Sequence, residues 1–499
     1  MASESLDAVV VGAGPNGLTA AVTLAAAGVG VRVFEANDGV GGGARTAELT
    51  LPGFHHDRCS AVHPLAAGSP VFATLPLADH GLSWLEPPLA LAHPLDDGPA
   101  ARLERSLADT AAGLGPGGRG YRALLTPFVG RWAALAPDVL RPFASVPPRH
   151  PALLARFGAR ALLPLTVSAR RLRGDAGPAL LAGMAAHTGS PLTAPVSTGP
   201  ALMLALAAHD VGWPSPRGGA QAIADALAGY LAELGGSIVT GHRVRSLDEL
   251  PTARAYLLDV SPWALPGLAG RRLPRRWLRR LGRYRRGPGV FKLDYALSGP
   301  VPWRDEATRR AGTVHLGGTL PEVAAALAAI SRGEAPDRPL VVSAQPSLVD
   351  PSRAPAGRHT FWAYAHVPNG WPGDLTDAIE GQIERFAPGF RDVVLARAVS
   401  PPGQLERQNA NLVGGDIADG AVSGAQALFR PLVAAVPYAT PDPAVFLCSA
   451  ATPPGPGVHG VCGHEAARVA LRRVFGRRAP RFQPPGAASR RERGTNLPG

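Results

Sequence analysis

Three glycines near the start of the chain constrain its fold more than any other feature. Gly12, Gly14 and Gly17 form a G-x-G-x-x-G pattern between an apolar run that predicts a strand and an alanine-rich run that predicts a helix. Glu35 ends the next predicted strand. In such a βαβ unit the first glycine permits a tight turn, the second lets the backbone approach a pyrophosphate, and the third allows close packing. Because an acidic residue at the end of the second strand can accept hydrogen bonds from ribose hydroxyls, the pattern predicts a dinucleotide site.

The rest of the chain alternates between two kinds of segment. The helix-then-strand pattern returns at 218–247, whereas 151–172 looks helical and is interrupted by proline and glycine. An alternating strand is predicted at 289–297. We predict a discontinuous nucleotide-binding domain from residues 1–75, 215–270 and 409–475, an inserted domain from 76–214 and 271–408, and a disordered basic tail from 476–499.

Composition limits the class of protein. The 499 residues, 46% of them hydrophobic, can bury a large core and are enough for two or more domains. No run approaches the roughly 18 apolar residues of a membrane-spanning helix, and the first residues have neither a basic region nor a cleavage site, so we expect a cytoplasmic protein. Cys59, Cys448 and Cys462 have neither zinc-site nor C-x-x-C spacing, which predicts no metal site and no disulfide framework.

The basic residues are concentrated in one segment. The formal net charge is +12, and residues 271–286 hold nine arginines with Leu273, Trp277, Leu281 and Tyr284 at helical spacing. Such a helix can lie peripherally on an anionic membrane, at the inner face for a cytoplasmic protein. Alternatively, its apolar stripe faces the protein's own domain. No nucleic-acid-binding motif accompanies the charge, so nucleic acid is not an expected partner.

Two further glycine-rich stretches resemble flavin-binding motifs. GVGGGARTAEL, at 39–49, resembles the second glycine motif of glutathione-reductase-type flavoproteins, although one additional small residue precedes Arg45. LCSAATPPGPGVHGVCGHEAARVAL, at 447–471, resembles the C-terminal flavin motif of phytoene dehydrogenases and their relatives. Many flavoproteins carry an acidic residue where this chain has Ser449 and Ala450, so the hydrogen bonds to the ribityl chain must differ here.

Taken together, the motifs resemble those of phytoene-dehydrogenase-like FAD oxidoreductases. That group includes carotenoid desaturases, retinol saturase and pyridine-nucleotide-disulphide-oxidoreductase-domain proteins. The resemblance implies an α/β fold in which a discontinuous, glutathione-reductase-like Rossmann-type domain binds FAD and a mixed α+β substrate domain is inserted. It also implies a strand with a valine, here Val244, that contacts the adenine. The candidate cofactor-binding residues are Gly12, Gly14, Pro15, Asn16, Gly17, Glu35, Ala36, Gly42, Gly43, Arg45, Val244, Gly457, Val458 and Gly460.

Lys292 is the candidate catalytic residue and the only lysine in the chain. Its context, GVFKLDYALSGPVPW, resembles the substrate-domain strand of amine oxidases, where a lysine holds a water against flavin N5. A compact ammonium on a flexible stem suits that role better than a planar guanidinium. The alternative is a lysine on a solvated strand edge. His55, His56 and His63 are weaker candidates for a base, because clustered loop histidines commonly bond within the loop.

Three functions are compatible with these residues. The first is an FAD-dependent dehydrogenase or desaturase that takes a hydride from an apolar, isoprenoid-like substrate and is re-oxidised by oxygen or a quinone. The second is a flavin amine oxidase, although only Tyr438 is near the position of the usual aromatic cage. The third is a prenyl-binding module without flavin, like the GDP-dissociation inhibitors, which share the architecture.

Overall fold

The structure, a computed structural model, describes residues 6–142 and 147–480, and its strands fall into two large sheets and two short ribbons. The strands are β1 (Leu6–Val11), β2 (Val31–Phe34), β3 (Thr46–Glu48), β4 (His55–Asp57), β5 (Trp84–Leu85), β6 (Leu89–His93), β7 (Ala101–Leu103), β8 (Ser215–Pro216), β9 (Ser237–Val239), β10 (Ala253–Leu258), β11 (Gly289–Leu297), β12 (Ala311–Leu316), β13 (Val341–Ala344), β14 (His359–Val367), β15 (Val394–Ser400) and β16 (Val445–Leu447).

The helices cover both sheets. They are α1 (Pro15–Ala25), α2 (Pro64–Ala67), α3 (Leu107–Gly113), α4 (Gly118–Leu125), α5 (Trp132–Val139), α6 (Pro151–Ala161), α7 (Leu165–Ser168), α8 (Ala176–Ala185), α9 (Thr198–Asp210), α10 (Gln221–Glu233), α11 (Leu265–Leu268), α12 (Arg275–Leu281), α13 (Leu320–Ser331), α14 (Thr376–Phe386), α15 (Pro402–Gln408) and α16 (Val461–Val474). Short 3₁₀ turns connect several of them.

The first sheet is parallel and has the order β16-β10-β1-β2-β9. Its strands come from three distant parts of the chain, so the sheet is assembled from the two chain ends and from a middle segment. The carboxyl ends of β1, β2, β10 and β16 meet at one edge. In open α/β sheets, ligands bind outside that edge.

The second sheet is mixed and has the order β15-β11-β14-β13-β12-β6-β7. All of its strand pairs are antiparallel except β12 with β6. β11 has the predicted bounds, but it lies between β14 and β15, and all nine of its residues are buried. The alternative that Lys292 lies on a solvated strand edge is therefore wrong.

The two ends of the chain pack directly on each other through α1 and α16. A Cβ at Gly463 would lie 1.9 Å from the Asn16 carbonyl oxygen, so only glycine allows the two helices to approach this closely. Gly460 precedes α16 with a positive φ of 68°, which glycine adopts without strain. These glycines explain why the C-terminal motif is rich in glycine even where it does not face a ligand.

Within the arginine-rich segment 271–286, only Arg275–Leu281 forms a helix, α12. Leu273, Leu281 and Tyr284 are buried and Trp277 packs against the same core cluster, so the apolar stripe faces the protein itself. The arginines whose side chains are exposed are Arg271, Arg275, Arg276, Arg279, Arg280, Arg283, Arg285 and Arg286. The segment therefore presents a basic surface without an exposed apolar face.

The first residues of the tail, which we predicted to be disordered from residue 476, contact the folded protein. Arg477 donates hydrogen bonds to the carbonyl oxygens of Ala27 and Gly28, at 2.8 and 2.6 Å, which attach the start of the tail to the first sheet's helix layer. Residues 481–499 lie outside the described residues. Among those described, no single helix is long and apolar enough to cross a bilayer. Helix α6 and the helical stretch Leu165–Arg171 together reach the necessary length and apolar composition, but the chain bends by 93° between them.

Candidate functional site

One continuous cavity of about 1250 Å³ joins the two sheets. Sites for a single small ligand occupy about 300–1,000 Å³, so this cavity has room for a dinucleotide and a second molecule. The predicted cofactor residues that line it are Gly12, Gly14, Pro15, Asn16, Glu35, Ala36, Gly42, Gly43, Val244, Gly457 and Val458. Lys292 lines it as well, from the second sheet.

The glycine turn is built as its pattern requires. Gly12 has a φ of 100°, in the left-handed region that favours glycine. A Cβ at Gly17 would lie 2.0 Å from the Gly12 carbonyl oxygen, so this position requires glycine for packing, and Gly17 does not itself line the cavity. A Cβ at Gly14 would approach Asp259 Oδ2 at 2.9 Å. The close neighbour of the second glycine is thus a carboxylate.

Asp259, which the sequence analysis missed, follows β10 and lies at the mouth of the glycine turn. Its Oδ2 accepts a hydrogen bond from Gly17 N at 2.9 Å, and the side chain lines the cavity. Burial raises the pKa of Asp259 to about 7, and the carboxylates of Asp419 and Glu35 act in the same direction. A sequence signal did exist, since an acidic residue directly after a strand adjacent to β1 falls at the ligand-binding edge.

Glu35 is held by the backbone around it. Its Oε2 accepts a hydrogen bond from Ala13 N at 2.7 Å, and its Oε1 accepts from Asn37 N at 2.9 Å. Oε1 also accepts from Asn37 Nδ2 at 3.0 Å, so with about two lone-pair sites per oxygen it is Oε2 that keeps capacity for a ribose hydroxyl. Glu35 therefore fixes the turn and remains able to bind a ligand.

The position of Val244 within the chain's secondary structure differs from the prediction. The strand expected to contain Val244 ends at Val239, and Val244 lies in the irregular segment that follows and lines the cavity there. His242, in the same segment, packs against Phe34 with ring centroids 5.2 Å apart. The backbone leaves the sheet early because His242 N bonds to the Glu35 carbonyl oxygen at 2.8 Å.

Arg45 and Gly460 are not brought to the cavity. The Arg45 side chain lies beside Gly39 and Gly41, while its neighbour Ala44 lines the cavity. Gly460 starts α16, where a Cβ would meet Phe72 at 2.4 Å.

The other half of the cavity is a chamber with mostly apolar walls. Its floor is one face of the second sheet, and its roof comes from α6 and α9. The main floor and roof residues are Val290, Val342, Ala344, Trp362, Tyr364, Phe157, Met203 and Leu204. On the opposite face of β11, Phe291, Leu293 and Tyr295 belong to a separate core cluster.

Lys292 stands on the chamber floor, paired with a carboxylate. Its Nζ donates to Asp294 Oδ2, because residues i and i+2 of a strand share a face. It also lies 5.8 Å from the centre of the Trp362 ring. The side chains of Lys292 and Asp294 are only 3% and 0% exposed. Three N–H donors on an ammonium leave capacity beyond Asp294.

Of the three loop histidines, only His63 lines the cavity. Burial lowers the pKa of His63 to about 4, so it is neutral near pH 7. His56 Nε2 is 2.8 Å from Thr50 Oγ1, and burial together with the charge of Lys292 lowers its pKa to about 3. His56 thus bonds within its own hairpin region.

The site residues suit a ligand with phosphates and hydroxyl groups. Among the described residues, the buried polar atoms of lining residues that have no hydrogen-bond partner are His63 Nε2, Trp362 Nε1 and two oxygens, Asn16 Oδ1 and Asp419 Oδ1. A buried polar atom without a partner is costly, so a ligand that satisfies both oxygens would be favoured. An adenine dinucleotide fits these residues.

Comparison with known proteins supports the same region. Residues 10–75 match the family model of the NAD(P)-binding Rossmann-like domain. The chain therefore contains a Rossmann-like domain. It is 29% identical to mouse pyridine nucleotide-disulfide oxidoreductase domain-containing protein 2, with 93% of each chain covered.

Solved structures share the whole architecture. An oxidoreductase from Methanosarcina mazei superposes with a TM-score of 0.60 at 15% identity, covering 92% of this chain and 99% of the other. Putrescine oxidase bound to putrescine gives a TM-score of 0.59 at 18% identity, covering 95% of this chain and 98% of the other. The likeness establishes the fold of both sheets together.

Proposed function

We propose that this protein is an FAD-dependent oxidoreductase that takes a hydride from an apolar, isoprenoid-like substrate. The observation that carries the proposal is the single cavity, in which a glycine turn and an apolar chamber with Lys292 open into each other. FAD, when bound, supplies a hydride acceptor. The chamber residues then need only orient a C–H bond and exclude water. The proposed oxidant of the reduced flavin is oxygen or a quinone.

The cysteines do not favour disulfide chemistry. Burial raises the pKa of Cys462 to about 12 and holds that of Cys448 well above its usual range. Disulfide exchange requires a thiolate, so these side chains are poorly suited to it. We therefore do not propose disulfide oxidoreductase activity for this chain, although the mouse relative's name contains that term.

A flavin amine oxidase is the second candidate, because two aromatic rings flank Lys292. Trp362 and Tyr364 lie two residues apart on the same face of β14, with ring centroids 5.5 Å apart, and both line the cavity. Tyr438, the aromatic residue expected near this role, is buried and donates to the Pro453 carbonyl oxygen instead. Lys292 would repel a protonated amine, so such a substrate would have to bind in its neutral form.

The purified full chain provides the test. Heat-released cofactor should co-migrate with FAD and not with FMN, because the Rossmann half has room and partners for the adenosine moiety. When the protein is mixed anaerobically with carotenoids, retinoids or primary amines, one of these compound classes should bleach the flavin. Loss of all flavin together with binding of a prenylated peptide would instead support the binding-module alternative.

Asp259 should make pyrophosphate binding dependent on pH. Its pKa of about 7 means that the free carboxyl group loses its proton as pH rises through 7. Negative phosphates favour the protonated form, so binding above pH 7 takes up a proton and affinity falls by up to about tenfold per pH unit. Titration of ADP from about pH 6 to 8.5 should show this fall in the wild type. Asp259→Asn should remove it, whereas an unchanged slope would contradict the assignment.

We also propose that the exposed arginines of 271–286 hold the protein against an anionic membrane at its cytoplasmic face. Basic residues near such a surface contribute about 1 kcal/mol each. Replacing Arg275, Arg276, Arg279 and Arg280 with Gln should reduce flotation with anionic vesicles at least about tenfold. The matched control replaces the exposed Arg119, Arg122, Arg171 and Arg173, and equal losses in both variants would show that net charge alone is responsible.

A further inference from the structure

The segment after α15 carries a buried carboxylate into the cavity. Asp419 lines the cavity, and its side chain is 5% exposed. Its Oδ2 accepts hydrogen bonds from Ser449 Oγ at 2.9 Å and from Ala451 N at 3.1 Å. Ser449 and Ala450 are the positions at which many flavoproteins carry an acidic residue and this chain does not. A carboxylate therefore does lie beside Ser449 in the fold, and it is supplied by a residue 30 positions earlier in the chain.

The turn around Asp419 is held in an unusual conformation. Asp419 has a φ of 48°, in the left-handed region that few residues other than glycine adopt. Asp416 fixes the turn by accepting hydrogen bonds from Ala418 N and Gly420 N, at 2.9 and 2.8 Å. Tyr284 and Arg430 donate to the Asp419 carbonyl oxygen, at 2.7 and 3.0 Å. Several contacts therefore stabilise a strained residue, as is common where a side chain must be aimed at a ligand.

The second carboxylate oxygen of Asp419 is not used by the protein. Among the described residues, Oδ1 has no hydrogen-bond partner. The nearby Ser261 hydroxyl favours the charged form of Asp419, yet its oxygen also lacks a partner of good geometry. Burial raises the pKa of Asp419 to about 6, so the group is largely ionised at pH 7.5. Asp419 lines the cavity, and an ionised carboxylate oxygen without a partner is a strong acceptor for a ligand hydroxyl.

We propose that Asp419 accepts a hydrogen bond from a ribityl hydroxyl of FAD, in place of the carboxylate that positions 449 and 450 lack. The inference rests on the proposed function and adds a cofactor-positioning residue to it. It assigns Asp419 to the chain between the pyrophosphate and the flavin ring. Asp259, at the glycine turn, remains the neighbour of the pyrophosphate.

Ligand binding to the full chain, freed of flavin, tests the assignment at pH 7.5. Asp419→Ala should weaken FAD binding roughly 10- to 100-fold, the range expected for a hydrogen bond to a charged group. ADP, which has no ribityl chain, should bind the variant within about twofold of the wild type. Both affinities are measured by fluorescence, with ADP in competition with FAD, so no substrate is required.

Analogues of FAD that lack the 2′-, 3′- or 4′-hydroxyl of the ribityl chain identify the contact. One analogue should bind the wild type more weakly than FAD does, and Asp419→Ala should bind that analogue and FAD equally. Asp419→Asn, which preserves the side-chain shape, replaces Asp419→Ala if the latter does not fold. Equal losses of FAD and ADP affinity, or no loss of either, would overturn the inference. Failure of the wild type to bind both FAD and ADP would instead overturn the proposed function.

Discussion

Lys292→Met is expected to leave FAD bound and to slow flavin reduction by substrate, or flavin re-oxidation by oxygen, at least about tenfold. A tenfold change corresponds to about 1.4 kcal/mol of activation free energy. The ammonium lies in the chamber with spare N–H donors, where it can hold a water or a substrate group near the flavin. Stopped-flow absorbance measures the two half-reactions separately.

Because Lys292 forms a buried ion pair with Asp294, the effect of Lys292→Met on stability must be separated from its effect on rate. Removing one partner of a buried pair typically costs about 3–5 kcal/mol of folding free energy, so Lys292→Met lowers stability as well as rate. The double variant Lys292→Met/Asp294→Asn removes both charges and should recover part of that stability without recovering the rate. Lys292→Arg keeps the charge but should also be slow, since a guanidinium is larger and planar. Wild-type rates in both half-reactions for Lys292→Met would leave the residue a purely structural ion-pair partner.

Gly14→Val is expected to abolish FAD binding in a folded protein. The backbone at Gly14 has a φ of −74°, which valine can adopt, so the effect arises from space rather than from conformation. A Cβ there would lie 2.9 Å from Asp259 Oδ2 and 3.9 Å from the Gly42 Cα. The branched side chain would displace the carboxylate that bonds Gly17 N and would enter the space beside the glycine turn. Cofactor retention after gel filtration measures the outcome.

Two other glycine substitutions calibrate this effect. Gly14→Ala places one methyl group against the end of a flexible carboxylate and should weaken binding without abolishing it. Gly381→Val, in α14, has no atom within 4 Å of the added Cβ and should retain FAD fully. Wild-type FAD affinity in Gly14→Val would show that the cofactor does not approach this turn.

Local patterns predicted much of the fold. The glycine turn, Glu35 and the strand at 289–297 are each encoded within about thirty consecutive residues, and all are found in the structure. The alternation of polar and apolar residues around Lys292 was harder to interpret, because it is also typical of a strand with one wet face. In β11 the polar side chains instead form an ion pair inside the protein.

Contacts between distant segments were beyond prediction from the sequence. The position of Asp259 directly after a strand is a signal only once that strand is known to lie beside β1, and nothing in the local spacing of Asp419 indicates that it reaches the C-terminal motif. Tertiary structure brings them there, since β10 ends beside β1 and the loop before β16 folds back over Ser449. The end of the strand before Val244 was also missed, because the backbone hydrogen bond from His242 to Glu35 leaves no local signature.

The dependence of the first sheet on β16 and α16 has a consequence for biosynthesis. β1 leaves the ribosome early, yet its neighbour β10 joins it only after residue 258 and the sheet is complete only after residue 447. At about 5–20 residues per second, β1 waits roughly 12–50 s for β10, and the sheet waits roughly 20–90 s until translation has passed the last strand. Gly457 and Val458, which follow β16, are accordingly among the last residues of the cavity wall to be synthesised. Chaperones that shield β-strand edges should therefore affect how much folded protein a cell obtains.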